Sequence, residues 1–177
     1  MVLFQDYNRY IVPLLMDGYA VELFSRNNME DIQVHDLAKY FDLIAVKQGI
    51  VRLIKIVGMP KAADMPGIKS AFPFDYPDIE VWVVRGETRK IYKIIHGDFY
   101  RLVDNADYFD CKDVKKVIRY ELWGNKGIMV LGGYNAYFIP NSELFDNFER
   151  DIEPRLSGQV RVVYNSNKLT ILRMEGD

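Results

Sequence analysis

Lys112, Lys115, Lys116 and Arg119 form a tight group of like charge. Such a group can hold phosphate oxygens by charge-assisted hydrogen bonds and displace counterions, which makes binding to a nucleic-acid backbone salt-dependent. The surrounding pattern predicts a helix over Asp110–Leu122, and spacings of three and four would put most of the group on one side of it. A solvated helix face is the plain alternative. His35 and His96 stand far apart in the sequence, and isolated imidazoles make neither a metal centre nor an acid–base pair. Cys111 is the single cysteine. With two histidines it cannot complete a cysteine-rich zinc site within one chain, nor an internal disulfide, and it is read as a packing residue. A literal Pro-Asp pair at Pro77 and Asp78, with Glu87, Arg89 and Lys90 downstream, is set aside. Glu87 falls at a hairpin tip, where a metal ligand would lack a protected cleft. Asp42 opens a β-rich run, a position that serves as a turn or cap as readily as a site. Tyr134, Asn135 and Tyr137 are read as packing or hairpin residues.

The elements that position these residues rest on an ordinary globular composition. The 177 residues are 49% hydrophobic and 27% charged, enough to bury a core of their own. Basic and acidic residues number 23 and 25, with a pI near 5.8. No global cationic field exists, so nucleic-acid binding would have to come from a local patch. Twelve Tyr and ten Phe supply core packing first, and stacking or a subunit interface second. No stretch approaches the ~18 consecutive apolar residues of a membrane span. The opening MVLFQDYNRY lacks the basic and apolar regions of a signal peptide. The expectation is an intracellular, cytoplasmic protein without membrane contact.

From Asp6 to Asp17, Tyr7, Tyr10, Ile11, Leu14 and Leu15 recur at helical spacing, with Pro13 predicting a kink or a short first turn. Gly18 closes that helix, and Tyr19–Phe24 alternates as a strand. A short helix is expected over Ile32–Tyr40. "LIAV" and "IVRLIKIV" read as a hairpin turning at Lys47–Gly49, and "IEVWVV" and "KIYKII" as a second one turning at Arg85–Thr88. Between them residues 59–78 hold four prolines and are read as a loop. Farther on, "GIMVLGGYNAYFIP" predicts a hairpin at Gly132–Gly133, and residues 142–156 a helix capped by Ser142. The chain closes with a hairpin around Asn165–Asn167. The fold class is α/β, a mixed sheet flanked by helices over residues 1–96, with a C-terminal α+β extension over residues 97–177.

The order helix, Gly18–Tyr19, strand, a loop with Ser25, Arg26 and Asn27, and then the Asp-headed run "DLIAVKQG" resembles the archaeal Holliday-junction resolvases of the PD-(D/E)XK nuclease superfamily. The resemblance covers about the first 60 residues in some detail and the order of elements to about residue 95. It implies a restriction-endonuclease-like fold, a homodimer, DNA as partner and Mg²⁺ as cofactor. In that family, carboxylates on adjacent strands hold the ion, which polarises the phosphate and activates water, while a lysine stabilises charge. An ungapped match puts Asp42 at the strand-Asp position, but the Glu position falls on Lys55 and the Lys position on Val57. Sliding the strand by one residue supplies no carboxylate, because Arg52 and Lys55 are the charged residues of Ile50–Gly58.

The resemblance therefore implies catalytic positions at Asp42 and Lys55, metal ligands at Asp6 and Asp42, and nucleic-acid contacts at Ser25 and Arg26, while the charge cluster by itself adds Lys112, Lys115 and Lys116 as expected nucleic-acid contacts. The leading expectation is a nucleic-acid-associated protein on a nuclease-like scaffold, weak or inactive as a nuclease. One rival is an active divergent endonuclease that recruits Asp6, Glu22 or Asp36. The other is a protein-interaction module that has left nucleic acid behind, as the acidic balance permits.

Overall fold

The computed structural model describes residues 7–24, 41–58, 79–86 and 88–174. Asp6, Ser25, Arg26, His35, Asp36, Pro77, Asp78 and Glu87 lie outside the described residues, as does the helix expected over Ile32–Tyr40. The chain divides into two compact units, Met1–Phe99 and Tyr100–Asp177. Among the described residues no helix is long and apolar enough to cross a membrane.

The first unit contains α1 (Asn8–Met16), β1 (Ala20–Leu23), β2 (Leu43–Lys47), β3 (Ile50–Gly58), β4 (Ile79–Arg85) and β5 (Thr88–Ile95). Its strands lie in sequence order in a mixed sheet. Neighbours are antiparallel except β3 and β4, which run parallel. A parallel pair needs a crossover of a dozen or more residues, a length that residues 59–78 supply. The β2–β3 hairpin turns through Gln48 and Gly49, both with positive φ. That geometry matches the right-handed twist of the strands, and glycine adopts it without a Cβ penalty. β4 is apolar at almost every position because both of its faces are buried.

α1 lays Tyr10 and Leu14 on Leu43, Ala45, Ile54, Ile56, Trp82 and Val84. The short first turn expected at Pro13 does not form: the helix runs through it to Met16. Proline forfeits one main-chain donor in a nine-residue helix, and the burial of Tyr10 and Leu14 offsets that loss. Arg52, Glu80 and Lys93 are buried with this core. Arg52 donates two hydrogen bonds to Glu80, at 2.6 and 2.7 Å, and the Trp82 indole donates a third at 3.0 Å. Lys93 stands opposite Glu80 on β5.

In the second unit β6 (Asp98–Val103), which crosses the unit boundary, runs parallel to β10 (Asn135–Ile139). β10 pairs antiparallel with β9 (Asn125–Gly132), and β9 with β8 (Val114–Leu122). A three-stranded antiparallel sheet has the order β12 (Lys168–Arg173), β11 (Val160–Asn165), β7 (Tyr108–Cys111). Phe109, Cys111, Val117, Ile128, Val130, Phe148, Ile152 and Val162 build its core. The hairpins expected near Gly132 and Asn165–Asn167 form as read.

Two expectations fail in this unit. Asp110–Leu122 is not a helix but β7, a turn and β8. A β-bulge between Val114 and Lys116 resets the alternation, so Val114 and Val117 are both buried despite a helical spacing of three. The helix expected over residues 142–156 is broken into α2 (Ser142–Asp146), α3 (Phe148–Asp151) and a 3₁₀ turn at Glu153–Arg155. Asn141 rather than Ser142 caps α2, its Oδ1 accepting from the Leu144 N–H at 3.1 Å. Asn147 then interrupts the helical path with φ −106° and ψ 22°.

Burial pushes the Glu80 carboxyl upward, but hydrogen bonds and charge from Arg52, with Lys93 and the Trp82 indole, reverse this and hold it below the usual carboxylate range. A carboxylate with a lowered folded pKa stabilises the fold above its unfolded value of about 4.3, and that contribution is lost as pH falls through the folded value. Glu80→Ala should cost about 3–5 kcal/mol in urea denaturation, because it strands two buried cations. The triple change Arg52→Met, Glu80→Leu and Lys93→Met should restore most of that loss and flatten the acid dependence.

Candidate functional site at Asp42

Asp42 precedes β2 and is fixed through its main chain before its side chain acts. Its N–H donates to the Ile54 carbonyl and its carbonyl accepts from the Phe24 N–H, both at 2.9 Å. These two bonds close the ends of the β1–β2 and β2–β3 ladders around one residue. The carboxylate is then aimed by three partners. Oδ1 accepts from the Tyr7 hydroxyl at 3.1 Å, Oδ2 accepts from the Ile56 N–H at 2.7 Å, and Lys55 Nζ lies 3.5 Å from Oδ2.

The Tyr7 hydroxyl is pushed up to about 12, first by burial and then by the charge and hydrogen bond of Asp42. It therefore stays a neutral donor at any physiological pH. The Lys55 side chain is 34% exposed and that of Asp42 20%, so the ion pair is partly shielded from water.

This arrangement brings Asp42 and Lys55 together, as the sequence predicts, but gives them a different task. A hard divalent cation needs several oxygen ligands and tolerates no cation in its coordination shell. Here one carboxylate is committed to a hydroxyl, a main-chain N–H and an ammonium group. The described residues around Asp42 do not fit Mg²⁺, and Asp6, the other expected ligand, lies outside the described residues. Val57, at the position resembling the catalytic lysine, is buried in β3. Glu22 is exposed on β1, paired with Ile44. Among the described residues no three His, Cys, Asp or Glu side chains converge on a common point. The strand that carries Lys55, β3, lies between β2 and β4. Tyr7, read from sequence only as part of an apolar stripe, is the partner that sequence reasoning missed.

The basic group of the second unit is spread along a strand rather than gathered on a helix face. Lys112 is exposed in the turn between β7 and β8. Lys115, at the bulge, places Nζ 5.7 Å from the Tyr100 ring centroid. Arg119 lies over Phe145 at 5.7 Å and 4.0 Å from Glu149 Oε1. Lys115, Lys116 and Arg119 line a cleft of about 460 Å³, and Lys112 does not. Cys111 is buried, in keeping with a packing role.

In comparisons with protein families, with curated proteins and with solved structures, nothing matches this chain.

Proposed function

We propose that this is a nucleic-acid-associated protein on a PD-(D/E)XK nuclease-like scaffold whose metal site has been dismantled. The observation that carries the reading is the Asp42–Lys55 pair. A carboxylate opens the strand where the resemblance wants a metal ligand, and a lysine faces it where the resemblance wants a second carboxylate. Support also comes from the order of elements in the first unit: a helix closed by Gly18, a strand, then an antiparallel hairpin headed by Asp42 within a mixed sheet. That order is the one the restriction-endonuclease-like fold requires of its beginning. Homodimerisation and DNA as partner follow from the resemblance, and Lys112, Lys115 and Lys116 supply local positive charge in a chain of net charge −2.

Incubation with Mg²⁺ or Mn²⁺ and junction, flap, duplex or single-stranded DNA should give no cleavage above background, and Asp42→Ala should change nothing. Efficient cutting by the wild type that Asp42→Ala abolishes would overturn the inactive reading and favour recruitment of another carboxylate, such as Asp6. DNA binding should be modest and salt-sensitive. With the three lysines each neutralising one phosphate, the slope of log K against log salt is about −3, a roughly 40-fold loss of affinity between about 50 and 200 mM salt. Replacing all three with Gln should bring the slope close to zero. Binding that ignores salt would contradict this.

A further inference from the structure

β8 is the terminal strand of the order β6-β10-β9-β8, and among the described residues no strand pairs with its outer edge. The cleft of about 460 Å³ is lined by the consecutive residues Val114–Arg119 and, across from them, by residues between Phe148 and Val160. Alternate side chains of a strand point to opposite faces. Even with the bulge, the cleft touches both the buried Val114 and Val117 and the exposed Lys115, Lys116 and Arg119, so it runs along the strand's edge, where the Val114 carbonyl already accepts from the Gln159 side chain at 3.3 Å. We propose that this cleft takes up an extended acidic segment of a partner protein, added as a strand to β8.

The chemistry of the lining selects that occupant. Val117, Phe148, Leu156 and Val160 give the cleft an apolar floor, and Lys115, Lys116 and Arg119 on the rim outnumber Glu153 of the lining together with Glu149, which lies 4.0 Å from Arg119. An extended segment that alternates apolar and acidic residues meets both: one set of side chains reaches the floor while carboxylates meet the rim, and the backbone supplies the ladder. A second copy of this chain is disfavoured, because joining two β8 edges would bring six cationic side chains together. Nucleic acid is disfavoured within the cleft. Among the described residues Phe148 is the one aromatic side chain of its lining and is buried, so the lining offers bases no exposed ring to stack on and phosphates would touch the rim alone. Lys115 and Lys116 are the same lysines that the nucleic-acid reading above uses, so on this proposal an acidic segment and DNA compete for them.

The test uses the full chain with short peptides alternating Glu with Val or Asp with Ile. Controls are the same peptides N-methylated along one edge, a Lys–Val peptide and an oligo-dT strand. Binding is read by fluorescence anisotropy, and amide hydrogen exchange locates the site. The acidic peptides should bind and slow exchange along 115–121. N-methylation, which keeps the charge and removes the ladder, should weaken binding about tenfold or more, and so should Lys115→Glu with Arg119→Glu. Equal binding by the N-methylated peptides would overturn strand addition. Protection of the same amides by oligo-dT but not by the peptides would overturn the peptide occupant and leave the nucleic-acid reading standing. No binding of either acidic peptide at millimolar concentration would overturn the proposal outright.

Discussion

The carboxylate of Asp42 joins the first helix to the sheet that the helix covers. One oxygen holds the Tyr7 hydroxyl at the entrance to α1, and the other holds the Ile56 N–H in β3 beside the Lys55 ammonium group. The same residue's main chain joins the β1–β2 and β2–β3 pairs. Its main-chain and side-chain partners together make it a fixed joint. A lysine ammonium about 4 Å from a divalent ion would be repelled by roughly 8 kcal/mol at an effective dielectric near 20. One carboxylate that already accepts from a hydroxyl and a main-chain N–H does not offset that.

A second fixed joint lies deeper in the same unit. Glu80 sits inside the otherwise apolar run of β4 and is held by a bidentate Arg52 fork and the Trp82 indole. Arg52 also lies over the rings of Tyr19 and Trp82, at 5.2 and 6.0 Å. Tyr19 follows the closure of α1 at Gly18, so the buried ions fix the exit of the helix as Asp42 fixes its entrance. Such a cluster contributes little net stability against well-packed apolar residues, yet losing one member is costly because the others remain charged and dry. It favours one register of β3 and β4 over its neighbours, since a one-residue slip would turn the partners to opposite faces.

Much of this architecture was legible wherever turn chemistry marked it. Gly18, Gly49, Gly86 and Gly133 each take positive φ at the end of an element or a hairpin turn, and the hairpins around them follow. Tyr7 was hidden because its ring belongs to the apolar stripe and only its hydroxyl reaches Asp42, 35 residues away in the chain. Val114, Val117 and Ile118 mimic a helical stripe because the bulge at Lys115 inserts a residue that sequence spacing cannot distinguish from a helical turn. The cationic group was thus visible as composition but not as a surface: its shape depends on a strand edge, and on the segment from Phe148 to Val160 that faces it. Glu80 carried a usable signal, a lone carboxylate within "IEVWVV", whose meaning as a buried ion appears once Arg52 and Lys93 are seen on the flanking strands.

The claim that Asp42 is a structural joint and not a metal ligand is tested most directly by Mn²⁺ titration of the wild type and Lys55→Glu, followed by paramagnetic broadening of the amide resonances. Lys55→Glu removes the ammonium group and sets a second carboxylate beside the first. The account predicts that the Ile56 and Lys55 amides of the wild type keep their line widths at millimolar Mn²⁺, while the Ile56 amide of the variant broadens at concentrations at least about tenfold lower. Selective broadening of the wild-type Ile56 amide at micromolar Mn²⁺ would show that the carboxylate takes a metal despite Lys55, and would contradict the account.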